Sequence, residues 1–90
     1  MKKCVITVVG KDTVGIIATV CTYVAKTEIN ILDISQTIVS GYFNMMMIVD
    51  LSNSNTDFDE VVTALENLGK EIGVVIKCQR EEIFDMMHRI

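Results

Sequence analysis

The chain has 90 residues, half of them hydrophobic and 22% charged, with a net charge of −4 at neutral pH and three cysteines. That length fits one domain, which buries only about 60–65% of the surface its unfolded chain exposes. The acidic balance and the scattered basic residues exclude a phosphate backbone as partner, and no apolar run approaches the roughly 20 residues that a membrane crossing needs.

So many apolar residues exceed what one small core hides, and the surplus predicts a subunit interface. Lys2 and Lys3 lead into a short alternating run rather than a signal peptide, so a cytoplasmic protein is expected. Cys4, Cys21 and Cys78 form an odd set without C-x-x-C spacing. They read as small buried hydrophobes, not as a disulfide framework or a zinc site.

Residues Lys3 to Val9 (KCVITVV) are rich in β-branched side chains and alternate Cys4, Ile6, Val8 against Val5, Thr7, Val9, the pattern of a central strand with both faces covered. From Thr13 the period changes, and Ile17, Val20, Cys21, Val24 and Ala25 recur at helical spacing until Thr27. Asn30 to Val39 (NILDISQTIV) returns to alternation, with Leu32, Ile34 and Ile38 inward, Gln36 as the polar inward position, and Asp33, Ser35 and Thr37 outward. That reads as a half-exposed strand at an edge. Ser40-Gly41 is a two-residue turn signal, so Tyr42 to Leu51 (YFNMMMIVDL) folds back as the second arm of a hairpin.

After the polar loop Ser52 to Thr56, either Thr56 or Asp57 caps a second helix whose buried stripe is Phe58, Val61, Val62, Leu65 and Leu68, with Gly69 as its stop. Gly73 to Gln79 (GVVIKCQ) reads as the last strand. Glu81 to Ile90 reads as a short tail helix with Ile83, Phe84, Met87 and Ile90 on one side. The order predicts an α+β, ferredoxin-like βαββαβ domain over residues 1–80, with a C-terminal helix over 81–90. Right-handed crossovers put both long helices on one face of a four-stranded antiparallel sheet whose second and fourth strands are edges. The other face carries Val5, Val9, Met46, Ile48 and Val75 or their neighbours, and an apolar face of that kind needs a cover. Alternation splits Met45 and Met47 from Met46, which fits core filling plus interface filling.

The fold hosts many functions, so the site must decide among them. The first strand carries no stacking aromatics for RNA, and the first loop has neither a C-x-x-C pair for metal transfer nor an arginine for acyl-phosphate chemistry. Gly10 to Gly15 also lacks the Gly-Lys-Ser/Thr ending of a phosphate-binding P-loop. His88 is the sole histidine and sits beside the C-terminus, so no triad, Cys-His pair or metal cluster can be assembled, and no enzyme, metal or cofactor is expected.

The stretch "VVGKDTVGIIATV" followed by "INILDISQ" resembles the ACT domain, a small ligand-binding module of amino-acid-metabolic enzymes and regulators. Asp12, Gly15, Ile16, Asn30 and Ile31 match its D/N-x-x-G-[IVL] loop and the Asn-Ile pair that opens its second strand, and the pattern is similar to free-standing single-domain members of the glycine-cleavage-repressor-like group. Thr13-Val14 stand where many such loops have Arg-Pro. The resemblance implies a homodimer that binds an amino acid between the first loop of one subunit and the start of the second strand of the other. The candidate ligand-binding residues are therefore Gly10, Lys11, Asp12, Thr13, Val14, Gly15, Ile16, Asn30 and Ile31.

Chemistry gives the same set a reason. Helix-start N–H groups after Thr13 accept a carboxylate, Asp12 takes an ammonium, Asn30 both donates and accepts, and Gly15 permits close approach. Each has a plainer role as well: Asp12 or Thr13 as a helix cap, Gly15 as a helix-strand packing residue, and Asn30 as a turn residue in αL conformation. The expectation is a non-enzymatic regulatory homodimer that senses a metabolite and signals to an unidentified protein. The alternative is a protein-protein interaction module without a small ligand.

Overall fold

The computed structural model describes residues 2–11 and 15–82, so the tail side chains Ile83, Phe84, Met87, His88 and Ile90 lie outside the described residues. The elements are β1 (Lys3–Lys11), α1 (Ile16–Lys26), β2 (Asn30–Val39), β3 (Tyr42–Asp50), α2 (Phe58–Ile72) and β4 (Val74–Arg80). All strand pairs are antiparallel in the order β2-β3-β1-β4, which is the ferredoxin-like βαββαβ fold with β2 and β4 as edges.

Register explains which side is core. Cys4, Ile6 and Val8 of β1 stand level with Val49, Met47 and Met45 of β3, and Ile6 and Val8 with Cys78 and Ile76 of β4. All are buried. Both helices cover this one face, Val20 and Val24 of α1 and Val61 and Leu65 of α2 completing the cluster. Fully burying a side chain of this size stabilises by about 1.5–3 kcal/mol, so these positions hold the fold. Met45 and Met47 fall in the core while Met46 is 40% exposed on the opposite face, as alternation requires. On that opposite face Val5 is buried, but Val9 and Val75 stay open.

Local chemistry sets the boundaries. Ser40 and Gly41 both take positive φ, 51° and 80°, which gives the hairpin the twist its flanking strands need. The α2 cap is Asp57, whose carboxylate accepts the Glu60 N–H at 2.9 Å. The helix does not stop at Gly69. It continues to Ile72, and Gly73 closes it in the left-handed region at φ 79°. Gly69 is needed for contact: a Cβ there would lie 2.6 Å from the Val74 carbonyl oxygen and 3.1 Å from Ile76 Cγ1.

Two further expectations are corrected. Helix α1 begins at Ile16, not at Thr13, and its buried side is Ile16, Val20 and Val24, while Ile17 and Ala25 are exposed. The inward row of β2 shifts because a bulge between Ile31 and Asp33 places Ile31, not Leu32, level with Val49. Ile34 and Ile38 follow on the same side, yet all ten residues of β2 are exposed, because the cover supplied by the helices ends short of this edge.

Replacing Gly69 by Ala sets two effects against each other. Helix propensity gains about 1 kcal/mol, whereas overpacking costs about 1–3 kcal/mol and the obstacle here is backbone, which cannot swing aside. Urea unfolding should therefore show Gly69→Ala to be the less stable protein; equal or greater stability would mean that α2 does not lie this close to β4.

Candidate functional site

The first half of the site lies where β1 leaves the sheet. Gly10 stands between Phe43 and Val74, and a Cβ on it would sit 2.7 Å from Val74 Cγ1, so its small size serves packing between β1 and β4. Lys11 is exposed and level with Tyr42. Asp12, Thr13 and Val14 lie outside the described residues. Gly15 follows with φ 91°, the N-cap of α1, and a Cβ there would meet nothing within 4 Å. The glycine is thus required for its left-handed backbone and not for helix-strand packing.

Open space at Gly15 matters because, among the described residues, no side chain caps α1 and its first turn has no acidic residue. Its first hydrogen bond runs from Thr19 N–H to Gly15 O at 2.9 Å, reinforced by Thr19 Oγ1 at 2.8 Å. The amides of Ile16, Ile17 and Ala18 precede that bond and have no acceptor within the helix, the setting in which a carboxylate is held. The Ile16 side chain itself is buried in the core, so only its backbone faces such a ligand.

The second half is fixed from the other end of α1. Thr27 caps the helix through Oγ1 to Tyr23 O at 2.9 Å, Glu28 turns the chain at φ 58°, and Ile29 is buried with its N–H on Val24 O. The left-handed turn residue is Glu28, not Asn30. Asn30 is extended, exposed and level with Asp50, with Ile31 beside it at Val49.

These halves do not meet within one chain. Lys11 is level with Tyr42 and Asn30 with Asp50, the two ends of β3. At about 3.4 Å per residue that separates them by roughly 27 Å along the strand.

A profile of the ACT domain matches residues 2–79. The chain belongs to the ACT domain family. A UPF0237 protein of Bifidobacterium longum is 66% identical over 90 residues, spanning all of both chains. Among solved structures, an ACT domain protein from Streptococcus pneumoniae superposes with a TM-score of 0.81 at 42% identity, over 93% of this chain and 94% of the other. A putative glycine cleavage system transcriptional repressor superposes with a TM-score of 0.78 at 30% identity, over 88% of this chain and 45% of the repressor.

This ACT domain has a cleft that the sequence did not disclose. A cleft of about 780 Å³ lies at the Asp50 end of the sheet, lined among others by Lys2, Leu51, Asn55, Phe58, Arg80 and Glu82. Its walls come from the chain start, the β3–α2 loop and the end of β4, so no local spacing betrays it. The Arg80 guanidinium sits 4.9 Å from the Phe58 ring centre. At its edge Ser52 holds the Asp50 carboxylate below the usual carboxylate range, donating from Oγ at 2.6 Å and from its N–H at 3.0 Å. The lining charges are of both signs, which favours no one class of ion.

Among the described residues no three His, Cys, Asp or Glu side chains converge as a metal site. Cys4 and Cys78 meet in the core, and burial raises both thiols, Cys78 to about 12, with the Cys4 contact adding to it. Neutral, buried thiols are inert.

The raised Cys78 thiol has a consequence for stability. Above pH about 8.5 an unfolded cysteine releases a proton that the folded chain keeps, so stability is flat below that pH and declines toward pH 12. One such group removes about 2 kcal/mol by pH 10. Urea midpoints measured from pH 7 to 10 should fall for the native chain and fall less steeply for Cys78→Ala; parallel curves would show that this thiol ionises as readily folded as unfolded.

Proposed function

We propose that the protein is a non-enzymatic regulator in which two copies pair and bind a small metabolite, an amino acid, between the β1–α1 loop of one subunit and the start of β2 of the other. The observation that carries this reading is the distance between the two halves of the site, together with the fully exposed ten-residue edge strand that connects their levels. If β2 pairs antiparallel with its symmetry mate, a two-fold axis at its middle sets the partner's Asn30 beside Val39, level with Tyr42 and Lys11. The roughly 27 Å offset along the strands is thereby removed, which leaves Lys11 and the partner's Asn30 at one level, three strand spacings or about 14 Å apart across the joined sheet.

The chemistry of the two halves is complementary to a zwitterion. The first turn of α1, which no described side chain caps, favours a carboxylate, and the partner's Asn30 offers a carbonyl to an ammonium and an amide to a second oxygen. Asp12, in the intervening loop, adds the charge that an ammonium wants. Membership of the ACT family and the likeness to a putative transcriptional repressor of glycine cleavage support a regulatory role over a catalytic one. The regulated partner in this reading is a protein, because the net charge of −4 opposes direct contact with nucleic acid.

Thermal unfolding against the twenty amino acids at millimolar concentration tests the reading. A ligand present at 100 times its Kd adds about 2.7 kcal/mol, a shift of several degrees for a domain this size. A selective shift that is lost in Asn30→Ala, with the unliganded melting point of that variant unchanged, is the expected result. No shift with any compound would point instead to an interaction module that docks through the same edge.

A further inference from the structure

We propose that the C-terminal segment, residues 83–90, docks on its own chain's sheet face opposite the helices and covers the end of that face at Val5. The ground is a contrast within one strand. Val5 and Val9 are the same residue type on the same face of β1, and each stands between a β3 and a β4 partner: Ile48 and Gln79 for Val5, Asn44 and Val75 for Val9. Yet Val9 is 46% exposed and Val5 only 3%. Strand neighbours of similar reach do not produce that difference, so something lies over Val5. Ile48 and Gln79 beside it are half-buried, whereas Val75 beside Val9 is open.

The described parts of the chain are engaged elsewhere. Both helices pack on the core face. The β3–α2 loop runs to the end of α1, where the Asn55 N–H donates to Thr27 O at 3.1 Å. Residues 12–14 join β1 to α1 at the far end of the strand, beyond Val9. The row from Gln79 through Val5 to Ile48 spans two strand spacings, about 10 Å, too wide for Met1 alone. What leaves the sheet beside this row is the chain after β4, since Gln79 is level with Val5 and Arg80 with Cys4.

Length, pattern and charge of that segment fit the row. Its eight residues, at about 1.5 Å each, make a helix of about 12 Å. Ile83, Phe84, Met87 and Ile90 recur at helical spacing on one side, and Val5 and Ile48 give that side an apolar floor. Charge sets the direction. Glu81, Glu82 and Asp85 stand toward the start of the tail and His88 and Arg89 at its end, while the sheet face carries Lys77 on its β4 side and Asp33 on its β2 side. A segment crossing from β4 toward β2 meets opposite charge at both ends. The face is thereby divided, closed at Val5 and open at Val9, Met46 and Val75. Because the ACT profile ends at residue 79, this cover lies outside the span that the family shares.

Methyl NMR of the full chain reads the contact directly. Phe84→Leu keeps an apolar side chain but removes the ring, so the Val5 and Ile48 methyl resonances should shift while those of Val9 and Val75 hold their positions. Unmoved Val5 and Ile48 methyls would overturn the proposal, and shifts at Leu51 in their place would put the segment in the cleft beside Arg80 instead. A second measurement identifies the source of the cover. When methyl-labelled Phe84→Leu protein is refolded together with unlabelled native chain, its Val5 signals should stay at the variant position. A second set at the native position would show that the segment comes from another copy, and would overturn docking within the chain. Neither readout involves a ligand or the pairing of β2, so failure here and failure of the proposed function are distinguishable.

Discussion

Strand β1 is paired along its length with β3 and, from Cys4 to Gly10, with β4, and that double pairing decides which side of the other two strands is buried. Because cross-strand partners share a face, burial of Ile6 and Val8 fixes Met47 and Met45 on one side and Cys78 and Ile76 on the other. A one-residue slip of either partner would turn its apolar row outward. Two glycines protect the arrangement. Gly10 lets β1 and β4 approach at Val74, and Gly69 lets α2 descend onto the same strand. Both contacts converge on Val74, so α2, β4 and β1 are held as one unit.

The edge farthest from that unit behaves differently. β2 touches the rest of the sheet only through β3, carries a bulge at Leu32, and keeps all its side chains exposed. Elements with little buried surface are the ones a protein uses for contact and for change. Here the strand also carries Asn30 at one end and reaches the level of Lys11 at the other. Position, exposure and the split of the site are therefore expressions of one topological fact.

Much of this was legible in the sequence. Both limits of β2 and the start of β3 were readable, because β-branched alternation and the Ser40-Gly41 pair are local signals with a local cause. The end of α2 was not: Gly69 and Gly73 are equally good stops by composition, and the choice between them depends on Val74 and Ile76, which the helix meets only once folded. The same holds for β2, where the bulge exchanges Leu32 for Ile31, and for α1, where the left-handed Gly15 delays the helix to Ile16. For the candidate site, the ACT-like spacing put Gly15 and Asn30 forward as a set, while their placement at opposite ends of the sheet is a property of register that no single segment encodes. The cleft beside Arg80 gave no sequence signal because its walls are assembled from three distant parts of the chain.

The asymmetry between the two edges of the sheet bears on how far the chain can polymerise. An exposed strand is a template for further strands, and a domain with two open edges risks endless growth. In this chain the edges are unlike: β2 offers a bulged row of isoleucines, whereas β4 interleaves Lys77 and Arg80 with its apolar residues. The proposed two-fold contact between β2 strands would consume that edge in both copies and leave only the charged β4 edges outward. In the proposed pairing, sheet extension would therefore terminate after one step, and the exposed strand would not act as a template for further growth.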